Sequence, residues 1–319
     1  MQEATFIKRN RPRWEEFENL VKANQPVHPD RLADLFIQIT DDLSFARTQY
    51  PNSRVTGYLN SLASKIHREI YKNKREEKSR FVTFWTLEVP QAMLLSRKPM
   101  LYALVIFLIS GAIGVVSVGN DPSFVRLILG DAYVNLTLEN IKSGNPTRIY
   151  GSFGEVNMFF MITLNNIMVA FKVFAYGIFA SFGTGLYLFY NGLMVGTFVM
   201  FFYQEHQLAN AFPVIMLHGT IELSSIVIAA GAGFVMGNSL LFPGTYTRIA
   251  SFKMGTKRGL KVVIGLVPFF IIAGFIESFI TRYAFMPLAA KVLIIGFSAL
   301  LMLYYFVIYP IQLKYHGRI

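Results

Sequence analysis

Few residues of this 319-residue chain have side chains suited to chemistry, and the notable ones interrupt long apolar runs. His218 and Glu222 are four apart, so on a helix they share one face. Asn165, Asn166, Asn191, Lys172 and Glu277 occupy similar apolar surroundings. A His and a Glu one turn apart can titrate, pass a proton, ligate a cation or hydrogen-bond a neighbouring helix. Metal catalysis is not expected, because two ligands fall short of the usual three, and there is neither a His-Glu-x-x-His pair nor a cysteine. No Gly-x-Ser-x-Gly elbow supports a serine nucleophile. Two roles stay open for the polar group: interhelical hydrogen bonds that order a bundle, or a pocket for an ion, a proton or a lipid headgroup. Hydrolysis by water activated between Glu222 and His218 is a weaker third.

The elements that must position these residues follow from composition. Hydrophobic residues make up 53% of the chain and charged residues 15%, with a mean hydropathy of +0.42. Soluble domains carry about 25% charge, so this chain cannot cover itself in water. The fold class predicted is all-α, a polytopic membrane protein. Six runs are long enough to cross a bilayer, at about 100–118, 156–180, 182–203, 211–236, 262–280 and 288–310. Counted from the span ends at about 1.5 Å per residue, Asn165, Asn166, Asn191, His218 and Glu222 fall in one slab near the midplane. Lys172 lies about 8 Å deeper than Glu222, placed for partial pairing or for snorkelling. Glu277, near the end of the fifth span, is expected to lean toward the headgroups.

Charge sets the expected orientation. Of the 30 Lys and Arg, 17 lie in residues 1–99, together with 12 of the 19 acidic residues. The 237–261 connection holds Arg248, Lys253, Lys257, Arg258 and Lys261 and no acid, which marks it as cytoplasmic. Counting spans from there places both termini in the cytoplasm, in a multi-pass protein of the cytoplasmic membrane. The net charge of +11 is then the positive-inside bias, and with no recognition motif beside it no nucleic-acid partner is expected. Residues 1–99 read as a cytoplasmic helical domain, divided at Pro26-Val27-His28-Pro29 and Tyr50-Pro51-Asn52-Ser53. Lys72–Arg80 is a charged stretch, and Phe81, Phe84 and Trp85 form an interfacial anchor beyond it. Residues 100–319 form the membrane domain, with an outward amphipathic segment at 120–155. No cofactor is expected, and the bilayer is the one certain partner.

Small residues recur at helix-packing spacing: Gly177, Ser181 and Gly185; Gly192 and Gly196; Ala229, Gly233 and Gly237, with Gly219 as a further packing position. Packing within the chain explains them more simply than a homo-oligomer, because the pattern covers several helices. Gly219-Thr220-Ile221-Glu222 and Gly274-Phe275-Ile276-Glu277 form a faint repeat.

In these elements the chain resembles the stage II sporulation protein M family of bacterial and archaeal membrane proteins. The resemblance rests on Asn165-Asn166 followed by Ala170 and Gly177, and on Asn191-Gly192 with Gly196. It continues through His218-Gly219-x-x-Glu222-Leu223 with Ala230-Gly231, and through Phe275-Ile276-Glu277-Ser278-Phe279-Ile280-Thr281. Leu217 and Arg282 depart from a family pattern that tends to have proline at both places. The resemblance implies a non-enzymatic scaffold that organises envelope or peptidoglycan-processing proteins, with a channel or transporter as the alternative.

Overall fold

A computed structural model describes residues 2–22, 29–71, 80–143, 154–281 and 286–317. Residues 26–28 of the first divider, 72–79 of the charged stretch, 144–153 of the 120–155 segment, Arg282 and Arg318 lie outside the described residues. The described residues are helical and contain no strand. The chain separates into two compact units, Met1–Ser79 and Arg80–Ile319.

The first unit is three helices, α1 (Glu3–Lys22), α2 (Pro29–Gln49) and α3 (Arg54–Tyr71). Phe6, Trp14 and Phe17 on α1 meet Leu35, Ile39 and Leu43 on α2 and Val55, Leu59 and Leu62 on α3 in one core. Trp14 is buried, yet its indole N–H is satisfied, donating to Asp42 Oδ2 at 2.8 Å. Arg13 pairs with the same carboxylate at 3.3 Å. Ser53 accepts from the Val55 amide at 3.1 Å, capping α3 just after the predicted Tyr50–Ser53 turn.

The second unit comprises α4 (Arg80–Thr83), α5 (Val89–Leu95), α6 (Arg97–Asn120), α7 (Phe124–Leu129), α8 (Asp131–Lys142), α9 (Glu155–Ala175), α10 (Phe182–Gln204), α11 (Leu208–Leu241), α12 (Arg248–Phe275), α13 (Leu288–Leu303) and α14 (Tyr309–Tyr315). Six helices among the described residues are long and apolar enough to cross a membrane, and they match the six predicted spans. The fifth begins much earlier than expected. Arg248, Lys253, Lys257, Arg258 and Lys261 lie on the first turns of α12 rather than in a loop, and only 242–247 connect it to α11. Thr247 caps α12, accepting from the Ala250 amide at 3.3 Å.

Helix α11 is the hub, packing against α6, α9, α10, α12 and α13, while α10 lies mainly along α6. These approaches depend on missing side chains. The position a Cβ would take on Gly177 lies within 3.0 Å of three backbone atoms of Gly233. Gly196 similarly meets the backbone of Gly111, Gly192 meets Ser110, and Gly233 meets Thr184. Gly185 and Gly219 do not share this role, since their nearest neighbours are side-chain atoms 3.8 Å away. The turn from α9 to α10 passes through Ala180 and Ser181 at φ 53° and 70°. On the expected outward segment, α7 and α8 seat Val125 and Val134 against Val118, Phe201, Phe202 and Ala211.

The aromatic segment after residue 80 belongs by its contacts to this second unit. Val89 is fully buried against Gly265, and Glu88 pairs with Lys261 at 2.7 Å. Between α4 and α5, Phe84–Glu88 forms a wide π-turn closed by the Val89 amide on the Phe84 carbonyl. That shift strips the Trp85 carbonyl of its α-helical donor, and Pro90 has no N–H for Thr86. Tyr305 and Tyr309 hydroxyls fill both vacancies, donating to Trp85 O at 2.7 Å and Thr86 O at 3.1 Å. A second π-turn, Tyr304–Ile308, likewise precedes Tyr309-Pro310.

Replacing Gly177 by Leu forces a side chain into the Gly233 backbone, and overpacking of this kind costs about 1–3 kcal/mol. Gly219→Ala meets no close neighbour and gains helix propensity. Thermal unfolding in detergent is expected to show a lower midpoint for Gly177→Leu and an unchanged or higher one for Gly219→Ala.

Candidate functional site

Three helices bring their polar residues to one place in the bundle. His218 and Glu222, one turn apart on α11, face Asn166 on α9 and Glu277 beyond the end of α12. The Asn166 amide donates to Glu222 Oε1. His218 Nε2 lies 3.8 Å from Glu277 Oε1, with 5% and 12% of the two side chains exposed. On its other edge, His218 Nδ1 sits 3.4 Å from Thr281 Oγ1. One ligand-type atom each from His218, Glu222 and Glu277 lies within 4.8 Å of the others.

Glu277 reaches the cluster because its backbone is not α-helical. Residues Ile276–Ile280 form a π-turn, closed by the Thr281 amide on the Ile276 carbonyl at 2.9 Å. The extra residue in the turn changes the angular register of the residues after it, a device frequent at functional sites. The other two π-turns each lead through one residue to a proline; here that third place is Arg282. In its stead Thr281 Oγ1 donates to the Ile276 carbonyl at 3.1 Å. The same hydroxyl that secures the turn therefore abuts the imidazole.

Several expectations are corrected by this geometry. Glu277 does not lean to the headgroups but enters the interior beside His218. Asn165 is exposed on α9, because it is turned about 100° from Asn166 around the helix. Asn191 is half-buried and donates to the Tyr187 carbonyl of its own helix at 2.8 Å, since α10 packs mainly on α6. Lys172 is exposed and forms no ion pair among the described residues, which fits snorkelling rather than pairing with Glu222. Leu217, at the place of a family proline, is fully buried in the core. Thr281 escaped notice as a site residue, although it closes the Phe275–Thr281 family motif.

Buried hydroxyls flank these residues in sequence. Thr163 and Ser225 lie three residues from Asn166 and Glu222 on the same helices, and Ser278 adjoins Glu277. All three hydroxyls are buried without a hydrogen-bond partner. Thr163 rests against Gly274. An apolar groove of about 560 Å³, lined by Leu223, Ser224, Met302 and Phe306, does not include Glu222 in its lining. The order Thr281–His218–Glu277 has the outline of a hydroxyl–imidazole–carboxylate relay. The Thr281 proton, however, is committed to the Ile276 carbonyl at the shorter distance, so the hydroxyl serves His218 as an acceptor and not as a nucleophile.

Residues 103–282 match the family model of stage II sporulation protein M. The chain belongs to the stage II sporulation protein M family. Residues 4–72 match a domain of unknown function (DUF8413), so the first compact unit has its own family model. No curated protein and no solved structure matches the chain. The stage II sporulation protein M region runs from within α6 to just past the π-turn at Ile276–Ile280 and contains Asn166, His218, Glu222, Glu277 and Thr281.

Removing the donor to the part-buried Glu222 carboxylate leaves that oxygen unmet, at a cost of about 1–3 kcal/mol. Asn166→Leu is therefore expected to lower the unfolding midpoint in detergent, while Asn165→Leu, on an exposed face, leaves it unchanged or raises it. Equal losses from both would mean that facing the cluster makes no difference.

Proposed function

We propose that this member of the stage II sporulation protein M family is a non-enzymatic organiser of a cell-envelope complex in the cytoplasmic membrane, with both termini in the cytoplasm. The observation that carries this reading is a membrane bundle packed closely around its polar cluster, in a chain that also bears separate helical surfaces suited to partners. The first unit is a three-helix body with Ile37 and Phe45 exposed. Helices α7 and α8 expose Leu127 and Leu136 while holding fast to the bundle through Val125 and Val134. In the proposed orientation the former meets cytoplasmic proteins and the latter meets envelope or peptidoglycan-processing proteins outside.

The orientation is supported by the basic start of α12. The run from Arg248 to Lys261 contains no acid in sequence; Arg248, in the first turn, opposes the helix dipole, and Lys261, further along, pairs with Glu88. Such a run suits a cytoplasmic surface with anionic lipids. The chain has no cysteine, which makes labelling direct. Glu139→Cys is expected to react with a membrane-impermeant maleimide in intact cells, and Lys257→Cys only after permeabilisation. The reverse pattern would invert the topology.

A second reading, a channel or transporter, is favoured by the two carboxylates and the imidazole inside the bundle. Glu222→Gln separates the two. A scaffold carrying it still captures the same envelope proteins in a native-membrane pull-down, measured by quantitative mass spectrometry against an unrelated six-span protein. A transporter carrying it stays folded and loses flux.

A further inference from the structure

We propose that His218, Glu222 and Glu277 bind one divalent transition-metal ion in the core of the membrane bundle. This inference goes beyond the scaffold reading and does not depend on it. Metal binding was not expected from sequence because only two ligands stood together; Glu277 is the third, carried in by the π-turn at Ile276–Ile280.

The network around the three residues prepares each as a ligand. Thr281 Oγ1 gives its proton to the Ile276 carbonyl and so offers His218 Nδ1 a lone pair. With that oxygen as acceptor, the Nδ1–H tautomer is the one that satisfies the contact, and it leaves the ring lone pair on Nε2, the atom that faces Glu277. An imidazole held on one nitrogen by an oxygen while the other ligates is the usual arrangement of a metal-bound histidine. The Asn166 amide holds one oxygen of Glu222, and the second oxygen remains for a cation. Bonds of about 2.0–2.2 Å put neighbouring ligand atoms about 3.3 Å apart in a tetrahedral shell. The present spread of up to 4.8 Å thus contracts by about 1.5 Å, within the reach of glutamate side-chain rotation.

Electrostatics point the same way. Two carboxylates largely withdrawn from solvent in a low-dielectric bundle need positive charge or protons. Lys172, the cation the sequence offered for pairing with Glu222, is exposed and forms no ion pair among the described residues. A divalent ion offsets both carboxylates at once. The partnerless buried hydroxyls of Thr163, Ser225 and Ser278, on or beside the same helix faces, are a separate mark, because buried polar atoms without partners are rare in folded proteins. One nitrogen and two carboxylates suit zinc, manganese or iron(II) better than a thiolate-loving or an all-oxygen ion.

The test uses the full chain in detergent, stripped with chelator and then titrated with Zn²⁺, or with Co²⁺ as a coloured probe. Elemental analysis is expected to find about one ion per chain, with a Co²⁺ visible band and an unfolding midpoint that rises to saturation with metal. His218→Ala and Glu277→Gln lose the ion and the band. Asn166→Ala keeps all three ligands but weakens affinity about 10–100-fold, and Asn165→Ala, on the exposed face, binds as the parent does. Where His218→Ala does not fold, the titration of the unaltered chain decides. An unaltered chain that takes up no ion and gains no heat stability overturns the proposal, as does retention of the ion by Glu277→Gln.

Discussion

Inside a bilayer no water waits to satisfy a polar side chain, so each ionisable group must find its partner within the protein or lose its charge. That constraint organises the centre of this molecule. Asn166 on α9 holds Glu222 on α11; one turn away, His218 faces Glu277 and Thr281 from the end of α12. Three spans are joined through groups that have no comparable partner in lipid.

The rest of the bundle makes those contacts possible. Asparagine is short, and it reaches across helices only where backbones come close. Glycine supplies the closeness: Gly177 against Gly233, Gly259 against Ala232, and Gly274 against Thr163. The 34-residue α11 carries half of the cluster and packs against five other spans, so a displacement there moves every interface. Irregular backbone appears where register must change. Proline comes after two of the π-turns at a spacing of one residue, and tyrosine hydroxyls satisfy the carbonyls freed at Trp85 and Thr86. At the third, Thr281 uses its side chain on the Ile276 carbonyl and thereby ties turn geometry to the imidazole.

Much of this was legible in the sequence, for reasons that also explain what was not. Apolar runs mark spans because length and hydropathy alone decide membrane crossing, and all six were found. Height along a helix follows from counting, and of the residues placed at one height Asn166 meets Glu222, one turn from His218. Rotation about the helix axis does not follow from counting, and Asn165 and Asn191, at similar depths, face elsewhere. Glu277 was misplaced because a π-turn is invisible to a regular helical count. Its one trace was the repeat of Gly-x-Ile-Glu at 219–222 and 274–277, whose two glutamates meet in space. The basic run at 248–261 was read correctly as charge and wrongly as loop, since helix can extend beyond the apolar stretch.

Membership of the stage II sporulation protein M family fixes the kind of membrane protein, and the chemistry of the cluster sets what must be explained about it. The bundle's centre rests on direct coupling between α9 and α11 through Asn166 and Glu222. A double-mutant cycle with Asn166→Ala and Glu222→Gln, read as unfolding free energy in detergent, tests that coupling. It is predicted to show an interaction energy of about 0.5–3 kcal/mol between the two sites. Additivity to within about 0.3 kcal/mol would mean that the two side chains do not act together, contradicting a centre held by their hydrogen bond.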